Sequence, residues 1–343
     1  MTPLGLALGL GLPYRGAPGS FVAALPGAYA GLGGVSAFTR ADATTCATYI
    51  DANGVVQTVA AAVLRDSHYI AGIRTILLES SQTNICTSSE SISNPPWVSA
   101  SGPTRTPAYH TASGISLDLV GDASAVGACA NLINNVGYTG DGQKLITFHI
   151  RQGTSAGTWF RQRDITAAAN RLSCVVTWAA GVPTVTMTTG TLFEAPVAIA
   201  AGVWRFTVLT TAAIAANTNE LDGFWASDTA ANVVPVGDIG FGGVMVRNNA
   251  TVATSYIKTV TPSAVTRAVD ALTLAGTSAF AAPTTLYQHY FDLATQAWVG
   301  AASAYTPGNT IVPVVDRAYM MLAVCLGTLT AAQCRTLIGG TFP

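Results

Sequence analysis

Short runs of strand length, separated by turn signals, fill the middle of this chain and constrain its fold more than any other feature. They lie at 115–120, 144–151, 158–163, 172–177, 184–189, 193–197, 203–210, 221–226 and 238–247. Between them stand Gly121-Asp122, Thr139-Gly140-Asp141-Gly142, Ala179-Ala180-Gly181 and Asn217-Thr218-Asn219. No long amphipathic helical pattern intervenes. Such spacing predicts a mainly β chain built around an antiparallel jelly-roll sandwich. Within 203–210 the period of two sets Arg205, Thr207 and Leu209 on one face and Trp204, Phe206 and Val208 on the other.

The flanks differ in texture. Residues 1–37 concentrate glycine and proline, which disfavour regular elements, and read as an extended N-terminal arm with a small strand near 20–25 and Tyr14 and Tyr29 as anchors. Residues 38–97 read as a hairpin-rich adaptor. Its clearest hairpin is Ala47-Thr48-Tyr49-Ile50, the turn Asp51-Ala52-Asn53-Gly54, and the return Val55-Val56-Gln57-Thr58. Asp51 and Asn53 also resemble the start of a calcium loop, but the later ligands of such a loop are missing. The sandwich then occupies 98–270. Residues 271–343 read as a small separate C-terminal β unit, with strands at 286–292 and 318–326 and a short terminal helix capped by Thr330 and stopped at Gly339-Gly340.

Charge is scarce. Only 10% of the 343 residues are charged and the net charge is -1, whereas ordinary domains carry roughly 25% charge. A neutral, hydroxyl- and amide-rich surface suits contact with other subunits. It lacks the basic face that nucleic acid requires. The apolar run Leu4 to Leu12 has no preceding positive charge and is too short to span a bilayer, so it reads as part of the arm, with no membrane insertion.

Reactive groups are sparse. His68, His110, His149 and His289 stand in no metal-binding or nucleophile-activating motif. Cysteines 46, 86, 129, 174, 325 and 334 form no Cys-x-x-Cys pair, so buried thiols are expected, with no metal and no cofactor; whether Cys325 meets Cys334 stays open. Among the acids of the β region, which include Glu194, the pair Glu220 and Asp222 would share a strand face. That is a geometry glycoside hydrolysis could use, although same-face acids are usually a solvated edge. Trp159 followed by Arg161 and Arg163 sets an aromatic ring beside cations on one face. This suits an acidic glycan, while an interface or a buried pair fits equally. These three residues are the candidate glycan-binding set, and no catalytic residue is assigned.

Two blocks of sequence carry a family resemblance. The first is Phe38-Thr39-Arg40, the Ala47 to Gly54 hairpin, Arg65, Leu77-Leu78-Glu79, Thr83-Asn84 and Ser88. The second is Gly242-Gly243-Val244-Met245-Val246, Thr254-Ser255-Tyr256-Ile257 and Val265-Thr266-Arg267-Ala268-Val269-Asp270. In this order they resemble virion fibre and spike proteins of tailed phages and phage-like particles, over about 38–270. The resemblance implies a carbohydrate-binding-module-like jelly roll. It implies a non-enzymatic structural protein of a tail or head fibre, a homo-oligomer such as a homotrimer, that attaches to a host-surface glycan. The expected location is the virion, assembled in the host cytoplasm, with the arm contacting other virion proteins. The alternatives are a purely structural capsid or tail-tip building block, and a capsule polysaccharide depolymerase. The motif residues Arg40, Asn53, Gly54, Glu79, Asn84, Tyr256, Arg267 and Asp270 are expected to serve architecture, with Arg40, Glu79 and Arg267 making ion pairs or capping turns.

Overall fold

The computed structural model describes residues 21–24, 26, 34–42, 47–92, 97–100, 104–122, 131–134, 141–215, 219–225, 237–259, 263–278, 280, 283–338 and 342–343. The expectations for Leu4 to Leu12, Tyr14, Tyr29, Cys46, Cys129 and Gly339-Gly340 lie outside the described residues.

Two six-stranded antiparallel sheets form a sandwich. The first contains β9 (Thr104–Ala112), β10 (Ile115–Asp122), β12 (Lys144–Gln152), β16 (Thr191–Ala200), β17 (Val203–Leu209) and β19 (Gly237–Asn248), in the order β16-β17-β12-β19-β10-β9. The second contains β8 (Trp97–Ala100), β11 (Asn131–Asn134), β13 (Gly157–Asp164), β14 (Ala169–Ala179), β15 (Val182–Thr189) and β18 (Asn219–Trp225), in the order β15-β14-β13-β18-β11-β8. Alternation decides which residues meet between them. Ile146, Phe148 and Ile150 of β12 and Phe206 and Val208 of β17 face Phe160 of β13 and Leu172, Cys174 and Val176 of β14 in one core. Phe148 sits at its centre, 4.5 Å from the Phe160 ring and 5.3 Å from the stacked Phe206 ring. Arg205 and Thr207 therefore face outward, as the period of two requires.

β19 keeps its apolar residues inward by a change of phase. Ile239 and Phe241 enter the core, and so do Val244 and Val246. The shift from odd to even positions is absorbed by a bulge where Thr147 pairs with Met245 but His149 pairs with Gly242. Gly243 takes φ +58° there, and a Cβ on it would lie 2.4 Å from His149 Nδ1. Only glycine meets both demands.

The third six-stranded sheet revises the domain picture. It contains β1 (Phe21–Ala24), β5 (Arg65–Ile70), β6 (Ile73–Leu78), β22 (Thr284–Asp292), β23 (Ala297–Tyr305) and β24 (Arg317–Leu326). β24 pairs with β22 along one side; on its other side β6 takes the first half and β1 the second. The C-terminal strands are thus completed by the arm and the adaptor, rather than forming a unit of their own. Two further ribbons repeat this long-range stitching: β2 (Val35–Thr39) with β21 (Ala271–Leu274), and β7 (Gln82–Asn84) with β20 (Val265–Arg267). The hairpin β3 (Ala47–Ile50) and β4 (Val56–Val59) packs by its Val56 N–H on Ser113 O. Its turn rests on Asp51, whose Oδ1 accepts from the N–H groups of Asn53 and Val55 at 2.8 and 3.0 Å, while Gly54 alone of the turn takes positive φ. The short helix α1 (Ala331–Ile338) has a capping box: Thr330 Oγ1 accepts from Gln333 N–H, and Gln333 Oε1 accepts from Thr330 N–H. No described helix is long and apolar enough to cross a membrane.

Asn84 pins the adaptor to the sandwich. It is fully buried; its Nδ2 donates to Val244 O and Ile257 O at 3.1 and 2.8 Å, and its Oδ1 accepts from Cys86 N–H and Val246 N–H at 3.0 and 2.9 Å. Truncation would strand several buried backbone groups, each costing about 1–3 kcal/mol. Asn84→Ala is therefore expected to lower the unfolding free energy by about 3 kcal/mol or more in urea titrations at neutral pH. A loss under about 1 kcal/mol would show that the staple is dispensable.

Candidate functional site

Six charged side chains from the two sequence motifs and their surroundings meet in a closed cluster. Arg65 bridges Glu79 and Asp270; Arg267 Nη1 reaches Glu79 Oε2 at 2.9 Å; Arg40 Nη1 reaches Asp270 Oδ1 at 3.2 Å and also pairs with Asp42. All six side chains are fully buried, and three guanidinium groups balance three carboxylates. Remaining hydrogen-bonding capacity goes to backbone and hydroxyl. Glu79 accepts from Ser255 N–H and Oγ–H at 2.5 and 2.6 Å, Arg267 donates to Ser80 O, and Arg40 donates to Ala60 O and Val63 O. Burial alone would raise the Glu79 carboxyl, but Arg267 and Arg65 outweigh it and hold the group well below the usual carboxylate range. Such a cluster is stable only when complete, because one missing partner leaves an uncompensated buried charge. Arg40, Glu79 and Arg267, the residues expected to make ion pairs or cap turns, all lie in this cluster together with Asp270.

Next to this cluster a cleft of about 360 Å³ opens. Its floor is the outward face of the first sheet, contributed by Thr147 and His149 of β12, Glu194 of β16 and Arg205 of β17. Its walls come from the hairpins β3–β4 and β5–β6, from 253–256, and from Phe291, Leu293 and Gln296. Glu194 organises the polar floor. Its Oε1 accepts from Arg205 Nε at 3.1 Å and from Thr207 Oγ1 at 2.6 Å, and Thr147 and Thr207 hydroxyls lie 3.3 Å apart. Its Oε2 has no hydrogen-bond partner, although the residue is only 9% exposed. Buried polar atoms are nearly always satisfied, so a bare carboxylate oxygen marks a place where a partner is missing.

Two histidines on the cleft are neutral. Burial, reinforced for His149 by the nearby Arg205 charge, lowers both His68 and His149 from 6.5 to about 3. For His68 the hydrogen bonding agrees, because Ile50 N–H donates to its Nδ1 at 3.0 Å and that nitrogen must be unprotonated; His149 Nδ1–H donates to Gly243 O at 2.9 Å, a contact that favours the charged ring but is outweighed by burial and Arg205. Glu79 also borders the cleft, but both its oxygens are committed to arginine and serine. Of the two carboxylates on the cleft, Glu194 therefore carries the one oxygen without a partner, and that oxygen is itself buried. Among the described residues no group of three His, Cys, Asp or Glu could hold a metal ion.

The aromatic and cationic set expected to bind glycan lies elsewhere and is arranged differently. Trp159, Arg161 and Arg163 do share the outward face of β13, since Phe160 between them enters the core. Trp159, however, is only 5% exposed, donates Nε1–H to Ser173 Oγ at 2.8 Å, and lies under the Arg161 guanidinium at 5.3 Å. Its ring is a buried packing element rather than an open stacking platform. The backbone register also places Arg161 opposite Asp222 and Arg163 opposite Glu220, so positions of opposite charge face one another across two strands. Of the motif residues, Asn53 and Gly54 belong to the hairpin turn and Asn84 is the staple. Tyr256 is buried, with its hydroxyl 2.5 Å from Ser89 Oγ and its carbonyl accepting from Thr48 Oγ1 at 2.6 Å. Sequence reasoning missed the cleft residues Glu194 and His149 as partners of Arg205. The outward phase of Arg205 and Thr207 was the available signal; nothing local announced which residues would stand across from them.

Two tests follow from these charges. Glu79→Gln leaves Arg65 and Arg267 short of a buried counter-charge, and is expected to cost about 3–5 kcal/mol in urea unfolding. For the histidines, the folded pKa lies below the unfolded one, so their contribution is present above 6.5 and is lost as pH falls towards 3. Each should remove about 1.4 kcal/mol per pH unit in that window. Urea midpoints that stay flat between pH 7.5 and about 5.5 would contradict a neutral buried pair. Compared with known proteins, the sequence matches no family model and no curated protein.

Proposed function

We propose that this protein is a structural component on the surface of a tailed-phage or phage-like virion, a fibre or spike, whose sandwich receives a host-cell glycan in the cleft between Glu194, Arg205 and the covering hairpins. The observation that carries this reading is the cleft itself. Small-molecule sites are concave and largely apolar, with a few placed polar groups. This cleft combines half-buried Tyr49, Tyr69 and Phe291 with the Glu194–Arg205 pair. The two sequence blocks that resemble virion proteins supply the biological setting. Consecutive strands β10, β11, β12 and β13, and later β17, β18 and β19, alternate between the two sheets, which supports a jelly-roll winding. Binding rather than cleavage is favoured because Glu79 is held in its ion pairs. The sparse charge fits assembly into homotrimers, with residues 1–37 reaching other virion proteins.

A purely architectural role is the second reading. It is favoured by the way the hairpins and 253–257 cover Ile115, Leu117, Val203 and Met245 on the outer face of the sheet.

An array of host surface polysaccharides separates the two. Wild-type protein is expected to be retained. Val197→Trp, which fills the cleft from a position already 38% exposed on an edge strand, is expected to abolish retention without changing the melting temperature. Absence of any retained saccharide would leave the architectural reading. Antibody-labelled electron micrographs of particles test the virion location.

A further inference from the structure

We infer that β23 is the edge by which this chain pairs with a second copy of itself, strand to strand and antiparallel, so that the third sheet continues across a two-fold axis. This contact does not depend on the glycan reading, since no residue of β23 lines the cleft.

An exposed sheet edge is a row of N–H and C=O groups ready to pair with another strand. Folded proteins usually blunt it with proline, charge, a bulge or brevity. The other edges of the three six-stranded sheets follow that rule. β9 carries Arg105, Pro107 and a bulge, and β16 carries Glu194, Pro196 and repeated register shifts. β15 carries Pro183 and a bulge, and β5 carries Arg65, Asp66 and a bulge. β1 and β8 are four residues each. β23 has none of these devices. It runs nine residues from Ala297 to Tyr305 without a proline or a charge. It pairs with β22 at consecutive positions along its whole length, with no shift of register. An antiparallel ladder turns the N–H and C=O of every second residue away from its partner. No other described strand pairs with that free side of β23.

The side chains select the partner. The bulky Trp298 and Val299 stand in the first half of β23, and the exposed, small Ala302, Ser303 and Ala304 stand in the second. Full antiparallel overlap of two copies sets Ala301 opposite itself. It also sets Gly300 opposite Ala302, Val299 opposite Ser303, Trp298 opposite Ala304 and Ala297 opposite Tyr305 of the second copy. Each bulky side chain then meets a small one on the same face of the joined sheet. Parallel pairing in register would instead crowd Trp298 on Trp298 and Tyr305 on Tyr305. The strand has no charge with which to repel its copy, and the whole chain carries a net charge of only -1. Such a contact is isologous: it consumes the open edge of both copies and closes on itself rather than growing a fibre. It joins copies in pairs, so that a three-fold contact elsewhere on the chain would yield six copies rather than three.

Sedimentation velocity and light scattering on the full chain read the copy number. An even number is expected, with two as the smallest assembly. Ala302→Lys combined with Ala304→Lys puts edge charges on an exposed stretch and brings them together across the axis; it is expected to halve the mass with an unchanged melting temperature. Ala301→Cys, treated with copper phenanthroline, is expected to give a covalent dimer on denaturing gels. Thr186→Cys, exposed on the proline-guarded edge β15, is expected to give none. The cross-link decides the question even if the lysine variant fails to fold. Single copies at every loading concentration overturn the inference, and so does a trimer. An even-numbered assembly that the lysines leave intact and that Ala301→Cys does not cross-link overturns it as well. Saccharide retention by the cleft is measured separately, so none of these outcomes bears on the glycan reading.

Discussion

The buried charge cluster of Arg40, Asp42, Arg65, Glu79, Arg267 and Asp270 is the interaction on which the rest of this structure depends. Its members come from opposite ends of the chain, 40–79 and 267–270, and they meet out of water. Isolated buried charges are strongly unfavourable, so the cluster tolerates little partial assembly. It therefore couples the adaptor to the return of the chain from the sandwich. Ser255, hydrogen-bonded to Glu79, ties in the 252–257 segment that covers the outer face of the first sheet.

The candidate site is a by-product of the same closure. The hairpins β3–β4 and β5–β6 are held over the outward face of β12 and β17, and the space left between them is the cleft. Because the cluster settles its own charges, it presents Glu79 to the cleft as a spent group. Because burial keeps His68 and His149 neutral, they add shape and hydrogen bonds without adding charge. Glu194 and Arg205 are left as the charged pair on the cleft floor. The bulge at Gly243 contributes as well, since it lets the His149 ring lie against the backbone of β19.

Much of the strand content was legible because its cause is local. The runs at 144–151, 158–163, 203–210 and 238–247 are strands whose apolar residues alternate into one core. Outside the sandwich β2, β5, β7, β20, β21 and β23 were not anticipated, and within it three strands were missed. β9 carries Pro107 and many polar residues, and is tolerated because it lies at the edge of its sheet. β8 and β11 are short, four residues each, and their strand character comes from pairing with each other rather than from pattern. The separate C-terminal unit was misread for a similar reason. Nothing near 317–326 reveals that its open side is filled by 73–78 and 21–24. Trp159 was misread because a tryptophan beside arginines looks alike whether its ring is stacked open or packed beneath a guanidinium.

By itself the sequence determined many of the strand-forming segments, the faces of those strands, the Asp51–Gly54 turn and the capped terminal helix. These depend on residues within a few positions of one another. The tertiary structure decided which charges pair, which strands close the third sheet, and which side chains share the cleft. Arg65 with Asp270, Asn84 with Val246 and Glu194 with Arg205 are contacts set by how sheets stack and chains return. The spacing of such partners along the chain carries no information about their distance in space. For that reason the sequence could mark the motif residues but not their partners, and the residues lining the cleft emerged only once the hairpins were seen to lie over the sheet.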